Sequence, residues 1–308
     1  MDHSKKRALS RLLTGLDHLE PSEPLPQIED AQPIGTGFRI GITGPLGAGK
    51  SSLINQIVLH IRRLDKTVGV IAVDPSSPFT GGAVLGDRVR MVELAGDEGV
   101  FIRSLASRGM SGGLTANAED AADLFDCFGF ERIIIETVGV GQTEVDIMSA
   151  CDCVIVVLEP SSGDGIQAIK AGLMEIADLF VVNKKDMRGA DRFIQDLQSS
   201  IELRDHVRLT QIIPTEARTG EGTAEVVQWL EQYWATATDR ITARRLEQRQ
   251  TRIKRMVEKA VVKNIWNYIP IGDVKLYAAQ EGYPVRTAVH SLVNGFFNRL
   301  EQLKTKTN

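Results

Sequence analysis

Gly44-Pro-Leu-Gly-Ala-Gly-Lys-Ser51 is the stretch on which the fold turns. Its glycines at 44, 47 and 49 and its closing Lys50-Ser51 fit the spacing G-x-x-x-x-G-K-[ST], with Ser52 following. The flanks matter as much as the match. Phe38–Thr43 before it is an apolar, strand-like run, and Lys50–Leu64 after it reads as a helix. A strand that turns through glycines into a helix can aim successive backbone N–H groups at one anion, and the helix adds its positive end. The loop Gly44, Pro45, Leu46, Gly47, Ala48, Gly49 is therefore expected to wrap phosphates together with Lys50, Ser51 and Ser52. Lys50 should reach the β- and γ-phosphates, and Ser51 should offer its hydroxyl to magnesium.

Working outward, strand-like runs recur at Val68–Asp74, Arg132–Glu136, Val154–Leu158, Leu179–Asn183 and Gln211–Thr215. Most are apolar nearly throughout, as strands buried on both faces must be. Helical stretches lie between them at Ala116–Phe128, Gln167–Ile176, Asp191–Leu203 and Thr223–Trp234. This alternation predicts an α/β fold, a mostly parallel sheet with helices on both faces. Lys5–Leu19 reads as a short amphipathic helix and Glu20–Pro33 as a Pro- and acid-rich linker. Beyond Trp234 the strand signal stops. Thr238–Tyr268 and Val285–Leu303 read as helices, with a break at Pro270. The expected organisation is an N-terminal helix and linker over 1–33, a nucleotide-binding domain over 34–236 and a helical arm over 237–308.

The bulk numbers exclude several classes. The 308 residues are 43% hydrophobic with a net charge of −4, which argues against a dedicated nucleic-acid binder. No apolar run approaches the length of a membrane span, and the N-terminus has no apolar leader. Three cysteines, Cys127, Cys151 and Cys153, suggest free thiols in a reducing compartment, so a cytoplasmic location is expected. Cys151 and Cys153 sit at the start of a buried-looking strand and are read as packing rather than metal ligands. The five histidines show no ligand spacing. Leu246, Ile253, Val257, Val261 and Ile265 form an apolar stripe longer than one tail can bury, which points to a homodimer. The Arg/Lys face of that helix reads as solvated.

Asn183-Lys184-Lys185-Asp186 follows an apolar strand and matches N-K-x-D, which identifies the base. The Asp186 carboxylate can accept from the ring N–H and the amino group of guanine. Adenine would leave it unpaired, so the expected nucleotide is GTP or GDP. Thr215-Glu-Ala217, after another short strand, sits where a second loop can back the base. Two acids at strand ends, Glu136 and Asp74, and Asp87 in Leu85-Gly-Asp-Arg-Val-Arg complete the set. Glu136 is a candidate water-mediated magnesium ligand, and Asp74 and Asp87 are candidates for metal or switch contacts. Gly139 can offer its N–H to the γ-phosphate. Magnesium prefers few carboxylates, so the three acids cannot all ligate it directly.

Ala72–Pro78, Gly86–Met91, Glu136–Gln142 and Asn183–Asp186 occur in order behind the phosphate loop. Together they resemble the MeaB/ArgK (MMAA-like) family of P-loop GTPases of the SIMIBI class, chaperones of adenosylcobalamin-dependent acyl-CoA mutases. The resemblance covers about Phe38–Tyr233 and implies roles at matching positions. Asp74, Asp87 and Glu136 would surround the metal, Gly139 and Gln142 would lie in a switch, and Ser161–Lys170 would be a further switch coupled to the mutase. Lys50, Asp87, Glu136, Gly139 and Gln142 would form the catalytic set of a GTPase that is slow until its partner assists. Two other classes predict different features. A nickel-delivery GTPase of the hydrogenase type would carry a His- or Cys-rich site, and a small-molecule kinase would prefer ADP to GDP.

Overall fold

The computed structural model describes residues 3–19, 22–28, 31–74, 94, 96–106, 116–137, 149–160, 173–203, 210–279 and 284–306. Asp87, Gly139, Gln142 and the segment Ser161–Lys170 lie outside them. The chain divides into two compact units, Met1–His18 with Leu25–Gln248, and Leu19–Pro24 with Arg249–Asn308.

The first unit begins with α1 (His3–Gly15), which ends in a 3-10 turn, Leu16–His18. There follow β1 (Phe38–Thr43), α2 (Lys50–Arg62), β2 (Val68–Asp74), β3 (Val100–Ala106), α3 (Ala116–Cys127), β4 (Arg132–Thr137) and β5 (Cys153–Leu158). After a helical turn at Met174–Ile176 come β6 (Leu179–Val182), α4 (Ala190–Glu202), β7 (Gln211–Pro214), α5 (Thr223–Thr236) and the start of α6 (Thr238–Tyr268). Among the described residues seven strands form one sheet in the order β3-β2-β4-β1-β5-β6-β7, and every pairing is parallel. This is the expected α/β fold of the P-loop NTPase kind. β3 is the strand that sequence reading missed. It occupies an edge, and Arg103 and Ser104 interrupt its apolar run.

Both faces of the sheet are covered, and that is why β4, β5 and β6 are buried at every residue. One core packs Phe38, Ile40 and Ile42 of β1 and Ile155 and Val157 of β5 against Leu53, Ile54, Ile57 and Ile61 of α2. Val226, Val227 and Leu230 of α5 join it. On α3, Ala121, Ala122, Leu124 and Phe125 are also fully buried. α1 packs against α3, burying Leu9 and Leu13, and Lys6 Nζ donates to Asp97 O at 2.8 Å and to Val100 O at 2.9 Å. Cys151 and Cys153 are fully buried, and burial pushes both thiols well up from their ordinary value.

The basic face of α6 is not wholly solvated, as sequence reading had it. Its first turns are clamped to the N-terminal edge of the sheet. Arg245 donates through Nε and Nη2 to the two oxygens of Asp152, each at 2.6 Å, and Nη2 also reaches Gly37 O at 2.7 Å. Arg244 Nη1 donates to Asp178 Oδ2 at 2.8 Å, Arg240 pairs with the same carboxylate, and Gln248 Nε2 donates to Cys151 O at 2.8 Å. Asp152 is 1% exposed, so its charge depends on these partners and on the Arg39 N–H at 2.8 Å. Arg245→Ala removes its two-pronged partner and should cost about 3 kcal/mol, the scale for breaking a buried pair. Chemical denaturation reads that loss, and a change below about 0.5 kcal/mol would sink the assignment.

In the second unit α6 continues to Tyr268, followed by α7 (Ile271–Ala278) and α8 (Val285–Lys306). Tyr268 and Phe296 pack with ring centroids 6.0 Å apart. Much of the apolar surface here is uncovered, including Ile253, Val257, Val261, Trp266 and Leu276. No helix among the described residues is long and apolar enough to cross a membrane.

Candidate functional site

β1 lies between β4 and β5; the chain runs from β1 to β2 toward one edge of the sheet and from β5 to β6 toward the other. The C-terminal end of β1 is therefore the crevice where open α/β sheets take ligands. The loop 44–49 occupies that crevice and turns through glycines in positive-φ conformations. At Gly44, φ is 140° and a Cβ would fall 2.1 Å from Val157 O. At Gly49, φ is 86° and a Cβ would fall 2.3 Å from Asn183 Nδ2. Both positions exclude any side chain, by backbone conformation and by space.

Gly49 is also the N-cap of α2, and no side chain bonds to the first-turn amides there. Those N–H groups face the crevice with the positive end of the helix, ready for an anion. Lys50 is 6% exposed, and its Nζ donates to Gly44 O at 2.7 Å and Pro45 O at 3.0 Å. The loop's own carbonyls thus hold the ammonium group over the phosphate cradle. Leu46, Gly47 and Ser52 are exposed, Pro45 is partly so, and Ala48 is buried.

The metal candidates divide. Ser51 Oγ donates to Glu136 Oε1 at 2.9 Å, and both residues are buried. Glu136 is near the end of β4, beside β1 in register with Ile42. The strand ends are joined further by Thr137 Oγ1, which donates to Thr43 Oγ1 at 3.0 Å. Asp74 closes β2 opposite Ala106 of β3, two strands from β1. Ser51 and Glu136 are thus brought into contact at the foot of the phosphate loop. An oxygen-only hydroxyl–carboxylate pair fits a small hard cation that keeps most of its waters.

The base motif follows β6. Asp186 is exposed beside the crevice, whereas Asn183 is 2% exposed. Asn183 Nδ2 donates to Ala48 O at 2.8 Å, and its Oδ1 accepts from Ala217 N at 3.0 Å and Thr215 Oγ1 at 3.2 Å. One amide therefore ties the phosphate loop to the Thr215–Ala217 loop. Thr215 is fully buried, with its N–H donating to Val182 O at 2.8 Å and its carbonyl accepting from Lys185 N at 3.0 Å. Sequence reading gave Asn183 to base recognition but could not show this bracing role, which needs residues 48, 183 and 217 in one place. It also passed over Glu159, which follows β5 and pairs with Lys184. The strand-end signal that singled out Glu136 was present there too.

A family model described as the methylmalonyl-CoA mutase-associated GTPase MeaB matches residues 16–269. The chain is 43% identical over 262 residues to a Pyrococcus horikoshii protein whose name describes it as a GTPase, covering 83% of this chain and 82% of that one. It is 34% identical over 271 residues to the mouse mitochondrial methylmalonic aciduria type A homolog, covering 85% of this chain and 64% of the relative. Over 152 residues it is 46% identical to the GTPase ArgK of Escherichia coli, covering 49% of this chain and 46% of that protein. Among solved structures, a LAO/AO transport system kinase aligns with a TM-score of 0.67 at 24% identity, covering 94% of this chain and 92% of that one, a likeness of fold. This chain is a GTPase and belongs to the MeaB family of methylmalonyl-CoA mutase-associated GTPases.

Proposed function

We propose that this GTPase is the nucleotide-driven chaperone of an adenosylcobalamin-dependent acyl-CoA mutase, methylmalonyl-CoA mutase or a relative. In this role it gates cofactor loading and protects or reactivates the enzyme. The observation that carries this reading is the match over residues 16–269 to a family described by its association with that mutase. The mouse relative, named for methylmalonic aciduria, supports the same client chemistry. We place the protein in the cytoplasm as a homodimer. The apolar residues left exposed along α6, Ile253, Val257 and Val261 among them, support a second copy as their cover.

The site residues take the following parts. The backbone N–H groups of the Gly44–Ser52 loop, Pro45 excepted, and the Lys50 ammonium hold the β- and γ-phosphates of GTP and offset charge that builds on them as the terminal P–O bond breaks. Water attacks the γ-phosphorus, GDP leaves with the bridging oxygen, and inorganic phosphate carries the new oxygen. Ser51 and Glu136 are the residues that would hold magnesium, the first by its hydroxyl and the second through water. The ion would supply further neutralisation of the phosphate oxygens. Asp74 and Asp87 complete with Glu136 the acidic set around the metal, and Gly139 and Gln142 take the second switch beside the γ-phosphate. Asp186 reads guanine, Lys184 flanks the base, and Asn183, Thr215 and Ala217 keep the base loops in register with the phosphate loop.

The client assignment is tested by immobilising the protein with a non-hydrolysable GTP analogue or with GDP and passing lysate of the source organism over it. Retention of a cobalamin-dependent acyl-CoA mutase that differs between the two nucleotides is the expected result. Absence of any such mutase in both states overturns the client and leaves the GTPase activity standing.

A further inference from the structure

Glu159 follows the last residue of β5, is 7% exposed, and pairs its carboxylate with the Lys184 ammonium. Three observations locate it. Leu158 O accepts from Asn183 N at 2.8 Å, so Glu159 and Lys184 start from adjacent strand ends. A Cβ on Gly47 would lie 3.8 Å from Glu159 Oε1, which places the carboxylate against the phosphate loop. Lys184 itself has φ of 58°, a left-handed conformation that a residue with a Cβ holds only where its surroundings impose it. Those surroundings are Asn183 on one side, anchored to Ala48 O, and on the other Lys185, whose N–H donates to Thr215 O. The side chain itself is paired with Glu159.

A carboxylate this deep needs a partner, and Lys184 is placed to be one. The pair stretches the lysine stem from the base motif back toward the phosphate loop, across the space between the two loops. The turn that follows is closed by Met187 N, which donates to Lys184 O at 2.9 Å around Asp186. We propose that Glu159 is a positioning residue for guanine recognition: through Lys184 it holds the Asp186 turn in register with the phosphate loop. The inference rests on Asn183–Asp186 being the loop that reads the base.

Charge and position predict different things. Glu159→Gln removes a negative charge near the phosphates, and that effect is shared by every nucleoside diphosphate. Loss of positioning acts only on discrimination between bases. The readout is therefore the ratio of ADP to GDP dissociation constants, measured by calorimetry on the full chain. Glu159→Gln should lower this preference for GDP about tenfold, the scale of coupling within one hydrogen-bonded network. Glu159→Asp, charged but one methylene shorter, should lower it in the same direction, and it carries the test if the glutamine variant is insoluble. In a Lys184→Met background the added effect of Glu159→Gln should fall below about twofold, because the partner is already gone. A preference within about twofold of wild type in both Glu159 variants, or an undiminished tenfold effect without Lys184, overturns the proposal. A wild-type protein that binds ADP as well as GDP instead overturns the base-reading loop itself.

Discussion

Lys50→Ala lowers single-turnover GTP hydrolysis by roughly 10³-fold, the loss seen when one preorganised donor to a transition-state charge is removed. The size follows from where the ammonium group sits. It is buried, and it is held at 2.7 and 3.0 Å by two carbonyls of the same loop that takes the phosphates. A charge fixed in advance does not reorganise as the γ-phosphoryl group transfers, and a low-dielectric site strengthens it further. Alanine also takes a partner from Gly44 O and Pro45 O, so nucleotide affinity should fall together with turnover. The measurement is release of labelled phosphate from a stoichiometric enzyme–GTP mixture, with melting temperature followed in parallel. Hydrolysis within tenfold of wild type at saturating nucleotide would remove Lys50 from the catalytic set.

The second large effect concerns the base. Asp186→Asn should weaken GDP binding by roughly 10²-fold or more, since a neutral amide cannot accept from both the ring N–H and the amino group of guanine. The same substitution should strengthen binding of xanthosine diphosphate. Xanthine presents the ring N–H beside a carbonyl, and an asparagine offers the matching acceptor and donor. Asp186 is exposed and its neighbours are anchored through Asn183 and Lys185, so the variant should fold normally. Direct titration with both nucleotides decides the matter. Unchanged preference for GDP over xanthosine diphosphate would mean that guanine is read elsewhere.

Much of this architecture is legible in the chain because its signals are local. Six of the seven strands announce themselves as apolar runs, since a parallel sheet covered on both faces admits little else. The phosphate loop is legible because glycine, lysine and serine must stand at fixed spacing between a strand and a helix. β3 was missed because an edge strand faces fewer neighbours and tolerates Arg103 and Ser104 within it. α7 was missed as well: the break at Pro270 drew attention from the eight helical residues behind it. The clamp between Arg245 and Asp152 could not be read in advance. It joins residues 93 positions apart, and a basic stripe on a helix looks alike whether it faces water or carboxylates. Glu136 was recognised from its strand end, and its contact with Ser51 appears only once β4 lies beside β1.

The strand order has a consequence for how the chain comes into being. β1 is made early, yet its neighbours are β4 and β5, so Ile40 waits for both Ile134 and Cys153. At a synthesis rate of about 5–20 residues per second, the emerging β1 spends on the order of ten seconds with both its edges open. An apolar strand in that condition is a template for pairing with other chains. Until residue 158 has cleared the exit tunnel the second edge of β1 has no native partner, so the risk of mispairing is concentrated in synthesis rather than in the finished protein.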